Sequence, residues 1–223
     1  MTAPLDGLPR ERRRELDLLL HELQARLGRS LRSAILFGPA ARGEAGLRGV
    51  DLNLLLLVDD LDFHGLDQIA PALHRARKLA GVAPTLLAWS ELKPSADVFS
   101  AKFSDIAADH VVLLGEDPFD GLEIDLSELR FVVEFELRSA LLRLRQSFVL
   151  GREDGFAAQD ALLGFAGTVV GPLRSLLGLL GLPVPKPTPA LVAALGQALG
   201  CDASVLLRLL EARGHGYLLG QRQ

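Results

Sequence analysis

This chain of 223 residues has few cysteines and few aromatic residues, and it has no excess of positive charge. A single cysteine, Cys201, excludes a disulfide within the chain and any zinc site built from several cysteines. Aromatic residues make up only 5%, so aliphatic side chains must supply most of the core. The formal net charge of −4 argues against general affinity for nucleic acid, which depends on basic surfaces. We therefore expect no nucleic-acid partner.

Apolar residues, by contrast, are abundant, at 49% of the chain with a mean hydropathy of +0.26. This richness predicts helices that are apolar on more than one face and are buried against another domain or subunit. The most apolar segment, residues 161–182, contains Arg174, and its uninterrupted part is shorter than the ~20 residues of a spanning helix. We expect a buried helix there and no membrane partner. The N-terminus lacks a signal-peptide pattern, which predicts a cytoplasmic protein.

The most informative segment joins two apolar runs, residues 31–37 and 50–58, each typical of a strand covered on both faces. Between them lie Gly38-Pro39 and the sequence Ala41-Arg42-Gly43-Glu44-Ala45, and the second run carries Asp51 and Asn53. This order resembles the nucleotidyltransferase superfamily, which has the DNA polymerase β-like fold. The family pattern is Gly-Ser, a short spacer, and then Asp-x-Asp or Asp-x-Glu on the next strand.

The resemblance implies a role for each matching position. Asp51 would be the catalytic residue and a magnesium ligand, and Gly38, Arg42 and Asn53 would contact the nucleotide. The cofactors of an active member would be Mg²⁺ and a nucleoside triphosphate. Carboxylates at positions i and i+2 of a strand share one face and together hold divalent cations against phosphate.

Three features depart from the family pattern. Asn53 replaces the second carboxylate and offers only a neutral oxygen to a metal. Pro39 replaces the serine; it has no side-chain donor and no backbone N–H, although it suits the first turn of a helix. The later strand expected at residues 84–89 has no acid, and Glu91 just beyond it is more typical of a first-turn helix acid than of a third metal ligand.

These departures predict a divergent nucleotidyltransferase-fold protein with a degraded metal site. We expect it to be non-catalytic or weakly active and to act as a binding or assembly module. The alternative is an active magnesium-dependent nucleotidyltransferase that modifies a small molecule or a protein.

Further along the chain, Asp105-Ile106 and Gly115-Glu116-Asp117-Pro118 resemble the passage that closes this domain in bacterial proteins. We expect Asp105 and His110 to be helix caps or surface groups rather than an acid–base pair. Four arginines follow Pro9 and are expected to form a solvated first helical turn or, alternatively, a patch for a protein partner. They are Arg10, Arg12, Arg13 and Arg14.

Beyond residue 120 the apolar residues recur at helical spacing. Asp125 and Glu128 form a capping-box-like start for a helix that ends at Gly151. A second helix is predicted over 156–180, and two shorter ones after a proline-rich link at 183–189. The inward face predicted for the first helix is Leu126, Leu129, Val133, Leu137, Leu141, Leu144 and Phe148.

The predicted architecture is an α+β nucleotidyltransferase domain with a small mixed sheet over residues 1–120, followed by an all-α four-helix bundle over 121–223. The resemblance implies that such a bundle binds an acceptor or mediates dimerisation. We expect a homodimer formed through the bundle, with a further protein partner as an additional possibility.

Overall fold

A computed structural model of the chain describes residues 5, 7–44, 50–123, 129–151 and 155–214. The chain divides into two compact units. The first comprises residues 1–98 and 106–124, and the second comprises residues 99–105 and 125–223.

The first unit contains a four-stranded mixed sheet. Its strands are β1 (Leu31–Phe37), β2 (Leu52–Val58), β3 (Val82–Ala88) and β4 (His110–Gly115). They lie in the order β3-β2-β1-β4, with β1 antiparallel to both neighbours and β2 parallel to β3. The small mixed sheet predicted from the sequence is confirmed.

Helices α1 (Arg10–Leu27) and α2 (Phe63–Ala80) pack against this sheet. Leu16, Leu19 and Leu23 of α1 are at most 1% exposed, as is every residue of β2 from Leu54 to Val58. Because consecutive strand residues point to opposite faces, both faces of β2 are covered, as its continuous apolar sequence predicts. Two short helices follow β3, α3 (Leu92–Val98) and α4 (Ser100–Ala108).

Acidic side chains after β2 begin the next helix. The carboxylate of Asp62 caps α2 by accepting a hydrogen bond from the backbone N–H of Gly65 at 2.7 Å. Asp60 accepts from the N–H of Leu61, and Asp59 forms an ion pair with Arg32 at 3.3 Å. These contacts are structural and hold the chain where β2 ends.

The second unit is helical, with α5 (Leu129–Leu150), α6 (Gly155–Leu179), α7 (Thr188–Leu199) and α8 (Ser204–Gly214). The predicted capping residues Asp125 and Glu128 lie outside the described residues. The predicted inward face of α5 is correct at Leu129, Val133 and the partly buried Leu137, but wrong at Leu141 and Phe148, which are 42% and 65% exposed. Helix α5 carries apolar residues on several faces, so periodicity alone could not select the buried one.

Helix α6 is less buried than the sequence predicts. Its segment Ala157–Leu179 is long and apolar enough to cross a membrane by length and composition, and 28% of its most apolar stretch is buried. Arg174 within it is buried, and its Nε lies 3.3 Å from a carboxylate oxygen of Asp105. The two Nη atoms of Arg174 donate to the carbonyl oxygens of Pro185 and Lys186. Asp105 is therefore mostly buried in an ion pair, and the prediction of a cap or surface group is wrong.

Candidate functional site

Gly38 and Asn53 lie together at the end of β1. Asn53 pairs with Phe37 in the antiparallel ladder, and Gly38 follows Phe37 directly. Gly38 has a φ of +74°, and a Cβ added to it would lie 2.8 Å from the side-chain nitrogen of Asn53. Both the backbone conformation and the space above the residue therefore require glycine.

The segment from Gly38 onward is a tight turn. Residues Gly38–Ala40 form one turn of 3₁₀ helix, with Pro39 in its first positions. The N–H groups of Arg42 and Glu44 donate to the carbonyl oxygens of Gly38 (3.2 Å) and Pro39 (2.9 Å), and Gly43 donates to Ala40 (3.3 Å). The amides of Arg42, Gly43 and Glu44 are thus bonded within the turn itself. Ala45, the last residue of the motif, lies outside the described residues.

Asp51 is exposed and precedes β2, so the prediction that it lies on the strand is wrong. Its carboxylate lies beside Gly81, the residue that ends α2 with a φ of +67°. A Cβ added to Gly81 would be 3.8 Å from Asp51 Oδ1 and 3.3 Å from Nη2 of Arg12. The carboxylate of Asp51 and the guanidinium of Arg12 therefore both lie near Gly81.

Arg12 is held in that position by the protein backbone. Its Nη2 donates to the carbonyl oxygen of Val50 at 2.6 Å and its Nε to that of Ala80 at 2.9 Å. Burial lowers the pKa of Arg12, and the negative charge of Asp51 opposes this shift. Arg12 is therefore a fixed cation beside Asp51, and the expectation of a solvated first turn is wrong at this position. The sequence alone does not indicate which of the four arginines points inward.

Glu91 serves the backbone of its own turn. Its Oε2 accepts a hydrogen bond at 2.9 Å from the N–H of Ala88, where β3 gives way to a short 3₁₀ turn. This agrees with the helix-acid interpretation. Within the described ranges, no group of three or more His, Cys, Asp or Glu side chains is placed to hold a metal ion.

His110 and Asp105 have different partners. The Nε2 of His110 lies 3.1 Å from a carboxylate oxygen of Asp117, and its Nδ1 lies 3.0 Å from the carbonyl oxygen of Ile106. The ring also lies on Phe119, with centroids 4.9 Å apart. These contacts link the beginning of β4 to the turn that follows the strand.

No protein-family model matches the chain. No curated protein is significantly similar to it in sequence. Among solved structures, the chain is similar to the spectinomycin adenyltransferase AAD(9) from Enterococcus faecialis, crystallised with ATP and spectinomycin. The TM-score is 0.50 and the identity 15%, and the match covers 90% of this chain and 98% of that chain. At this identity the similarity shows the fold alone, which is nucleotidyltransferase-like with a helical C-terminal part.

Proposed function

We propose that the chain is a nucleotidyltransferase-fold protein that has lost two-metal chemistry and serves as a binding or assembly module. The observation that carries this proposal is the fixed guanidinium of Arg12 near Asp51. Asp51 is the only acid at the two motif positions, 51 and 53. The guanidinium of Arg12 lies near it, where an active enzyme needs divalent cations.

Electrostatics explains why this arrangement opposes catalysis. Nucleotidyl transfer depends on metal ions that neutralise the phosphates and clamp the attacking and leaving oxygens. A divalent ion ~5 Å from a guanidinium is repelled by several kcal/mol even at an effective dielectric constant of about 20. Arg12 cannot move away without giving up its hydrogen bonds to Val50 and Ala80. Asn53 contributes no negative charge to offset the repulsion.

The turn after Gly38 supports the same conclusion. A phosphate-binding loop aims free backbone N–H groups at the ligand. Pro39 has no N–H, and the amides of Arg42, Gly43 and Glu44 donate to carbonyl groups of the turn. The loop therefore has few backbone N–H groups available to bind a triphosphate.

The assembly role rests on the exposed surface of α5. Phe131, Phe135, Leu142 and Val149 are between 62% and 69% exposed and recur at spacings of four and seven, which places them on one side of the helix. The rings of Phe131 and Phe135 stack with centroids 6.5 Å apart. We call these four residues the α5 stripe. The assembly proposed is a cytoplasmic homodimer joined through this stripe, and neither nucleic acid nor membrane is part of it.

Restoring the metal site tests the catalytic part of the proposal. We expect Asn53→Asp alone to give little Mn²⁺ binding in electron paramagnetic resonance titrations, because Arg12 still repels the ion. The double variant Arg12→Gln with Asn53→Asp should bind Mn²⁺ at least tenfold more tightly. Arg14→Gln with Asn53→Asp is the matched control, since Arg14 is an exposed arginine of the same helix.

Thermal unfolding of each variant shows whether it remains folded. If the unmodified chain consumes a nucleoside triphosphate in a way that Asp51→Ala abolishes, the active-enzyme alternative is correct. If the control variant gains as much affinity as the Arg12 variant, the role given to Arg12 is wrong.

A further inference from the structure

Helices α1 and α2 of the first unit pack side by side in opposite directions. Near the beginning of α1, Arg12 donates to the carbonyl oxygen of Ala80, the last residue of α2. Near the end of α1, Arg26 donates to the carbonyl oxygen of Gln68, which lies in the early part of α2. Exposed side chains at the beginning of α1 and at the end of α2 therefore belong to one surface.

Cations predominate on this surface. Arg75 forms ion pairs with Glu15 and Glu22 across the two helices, so its charge is compensated. The exposed acids nearby are Glu11 and Asp17. Four exposed basic side chains form no ion pair with any residue that the structure describes, and they are Arg10, Arg14, Arg77 and Lys78. The uncompensated cations thus outnumber the exposed acids, although the chain as a whole has a net charge of −4. We call these four residues the basic face.

Two exposed leucines lie beside the basic face. Leu18 follows Arg14 by about one helical turn and is 40% exposed. Leu79 follows Lys78 directly and is 54% exposed. The aliphatic stems of arginine and lysine extend such apolar area while their charged ends remain in water. The surface therefore combines positive charge with apolar contact area.

This combination is complementary to an acidic protein segment. Guanidinium groups form paired hydrogen bonds with carboxylates, and these bonds are stronger than those between neutral groups. A segment that carries glutamates or aspartates together with apolar residues would match both the cations and the two leucines.

Other anionic partners fit this surface less well. Single-stranded nucleic acid is bound largely by stacking on aromatic rings, and residues 10–21 and 74–80 contain no phenylalanine, tyrosine or tryptophan. A membrane surface is bound by a broad apolar helix face with aromatic or leucine anchors. Around the basic face the exposed large apolar side chains are Leu18 and Leu79, within the part of the chain that the structure describes.

We propose that the basic face is a docking surface for an acidic segment of another protein. Its cations bind carboxylates of that segment, and Leu18 and Leu79 contact the apolar residues between them. This specifies a partner for the proposed binding module. The surface includes neither Asp51 nor the α5 stripe, so its test can fail without affecting the proposed loss of metal chemistry or the proposed dimer.

Fluorescence anisotropy with two labelled synthetic peptides tests the proposal. One peptide is rich in glutamate and leucine, and the other has every glutamate replaced by glutamine. We expect saturable binding of the acidic peptide at low salt, weakening as the salt concentration rises, because exposed charges are screened by salt. The glutamine peptide should bind at least tenfold more weakly.

Matched variants locate the binding site. Arg14→Glu with Lys78→Glu reverses one cation on each helix and should weaken binding of the acidic peptide at least tenfold. Arg29→Glu with Lys93→Glu makes the same change in net charge at exposed cations of the first unit outside α1 and α2, and should change affinity far less. Thermal unfolding checks that both double variants fold.

Four outcomes would overturn the proposal. They are no saturable binding of the acidic peptide, equal affinity for the glutamine peptide, equal losses in the two double variants, and tighter binding of single-stranded DNA or of phosphatidylserine vesicles than of the acidic peptide. The last outcome would assign the basic face to a different class of partner.

Discussion

At the scale of single residues, two neighbours of Asp51 matter as much as Asp51 itself. The replacement of an acid by Asn53 is visible in the sequence, and its position beside Gly38 follows from the strand pairing. The position of Arg12 could not be predicted, because the contact joins α1 to residues far away in sequence. It depends on two backbone carbonyl groups that no motif encodes.

Glu136 gives a pH-dependent prediction at this scale. Burial raises its pKa in the folded chain above the ordinary value of 4.5. The folded state therefore holds this proton more tightly than the unfolded state does. The contribution of Glu136 to stability is greatest below pH 4.5 and is lost as pH rises through the raised pKa.

Glu136→Gln removes this dependence, because glutamine does not titrate. We expect the variant to gain thermal stability relative to the unmodified chain as pH rises from 4.5 to neutrality, with Lys102, Arg143 and Asp105 unchanged around it. Melting temperatures measured across that range check the prediction. Glu134→Gln is the control, since Glu134 forms an exposed pair with Arg138. If melting temperature depends on pH in the same way for Glu136→Gln and for the unmodified chain, the prediction is wrong.

At the scale of elements, the predictable parts are those where one physical signal dominates. Continuous apolar runs correctly predicted β1 and β2. Asp62 as the cap of α2 was missed, although an aspartate before a helix is a recognisable signal. The inward face of α5 was only half predicted, because several of its faces are apolar.

The ion pair between Asp105 of α4 and Arg174 of α6 gives a prediction for these elements. Its side chains are 16% and 5% exposed, so Asp105→Asn leaves a buried guanidinium without its carboxylate. Breaking such a pair costs about 3 kcal/mol. We expect the melting temperature to fall by several degrees. Asp97→Asn, an exposed change in α3, is the control, and equal falls in both variants would show that the ion pair contributes little.

At the scale of the whole molecule, the high apolar content of the sequence is matched by many exposed apolar side chains. A chain that is 49% hydrophobic leaves many large apolar side chains at its surface, including the α5 stripe. Such patches are common at protein interfaces. The boundary at residue 120 and the dimer remain predictions, while the order of a small mixed sheet followed by helices is confirmed.

The proposed dimer predicts a change in mass on one substitution. Leu142→Glu places a charge in the middle of the α5 stripe and should convert the dimer into a monomer, because burying an unpaired carboxylate is costly. Light scattering after gel filtration measures the mass. Arg130→Glu, an exposed change on another face of the same helix, is the control. A monomer before substitution, or a dimer that persists in Leu142→Glu, would contradict the interface.

We propose that Asp51 no longer recruits magnesium to a nucleotide. Calorimetric titration of ATP with magnesium present, into the unmodified chain and into Asp51→Ala, tests it most directly. We expect the two isotherms to be the same, because the fixed guanidinium of Arg12 near Asp51 opposes a divalent ion there. Magnesium-dependent binding of ATP that disappears in Asp51→Ala would contradict it.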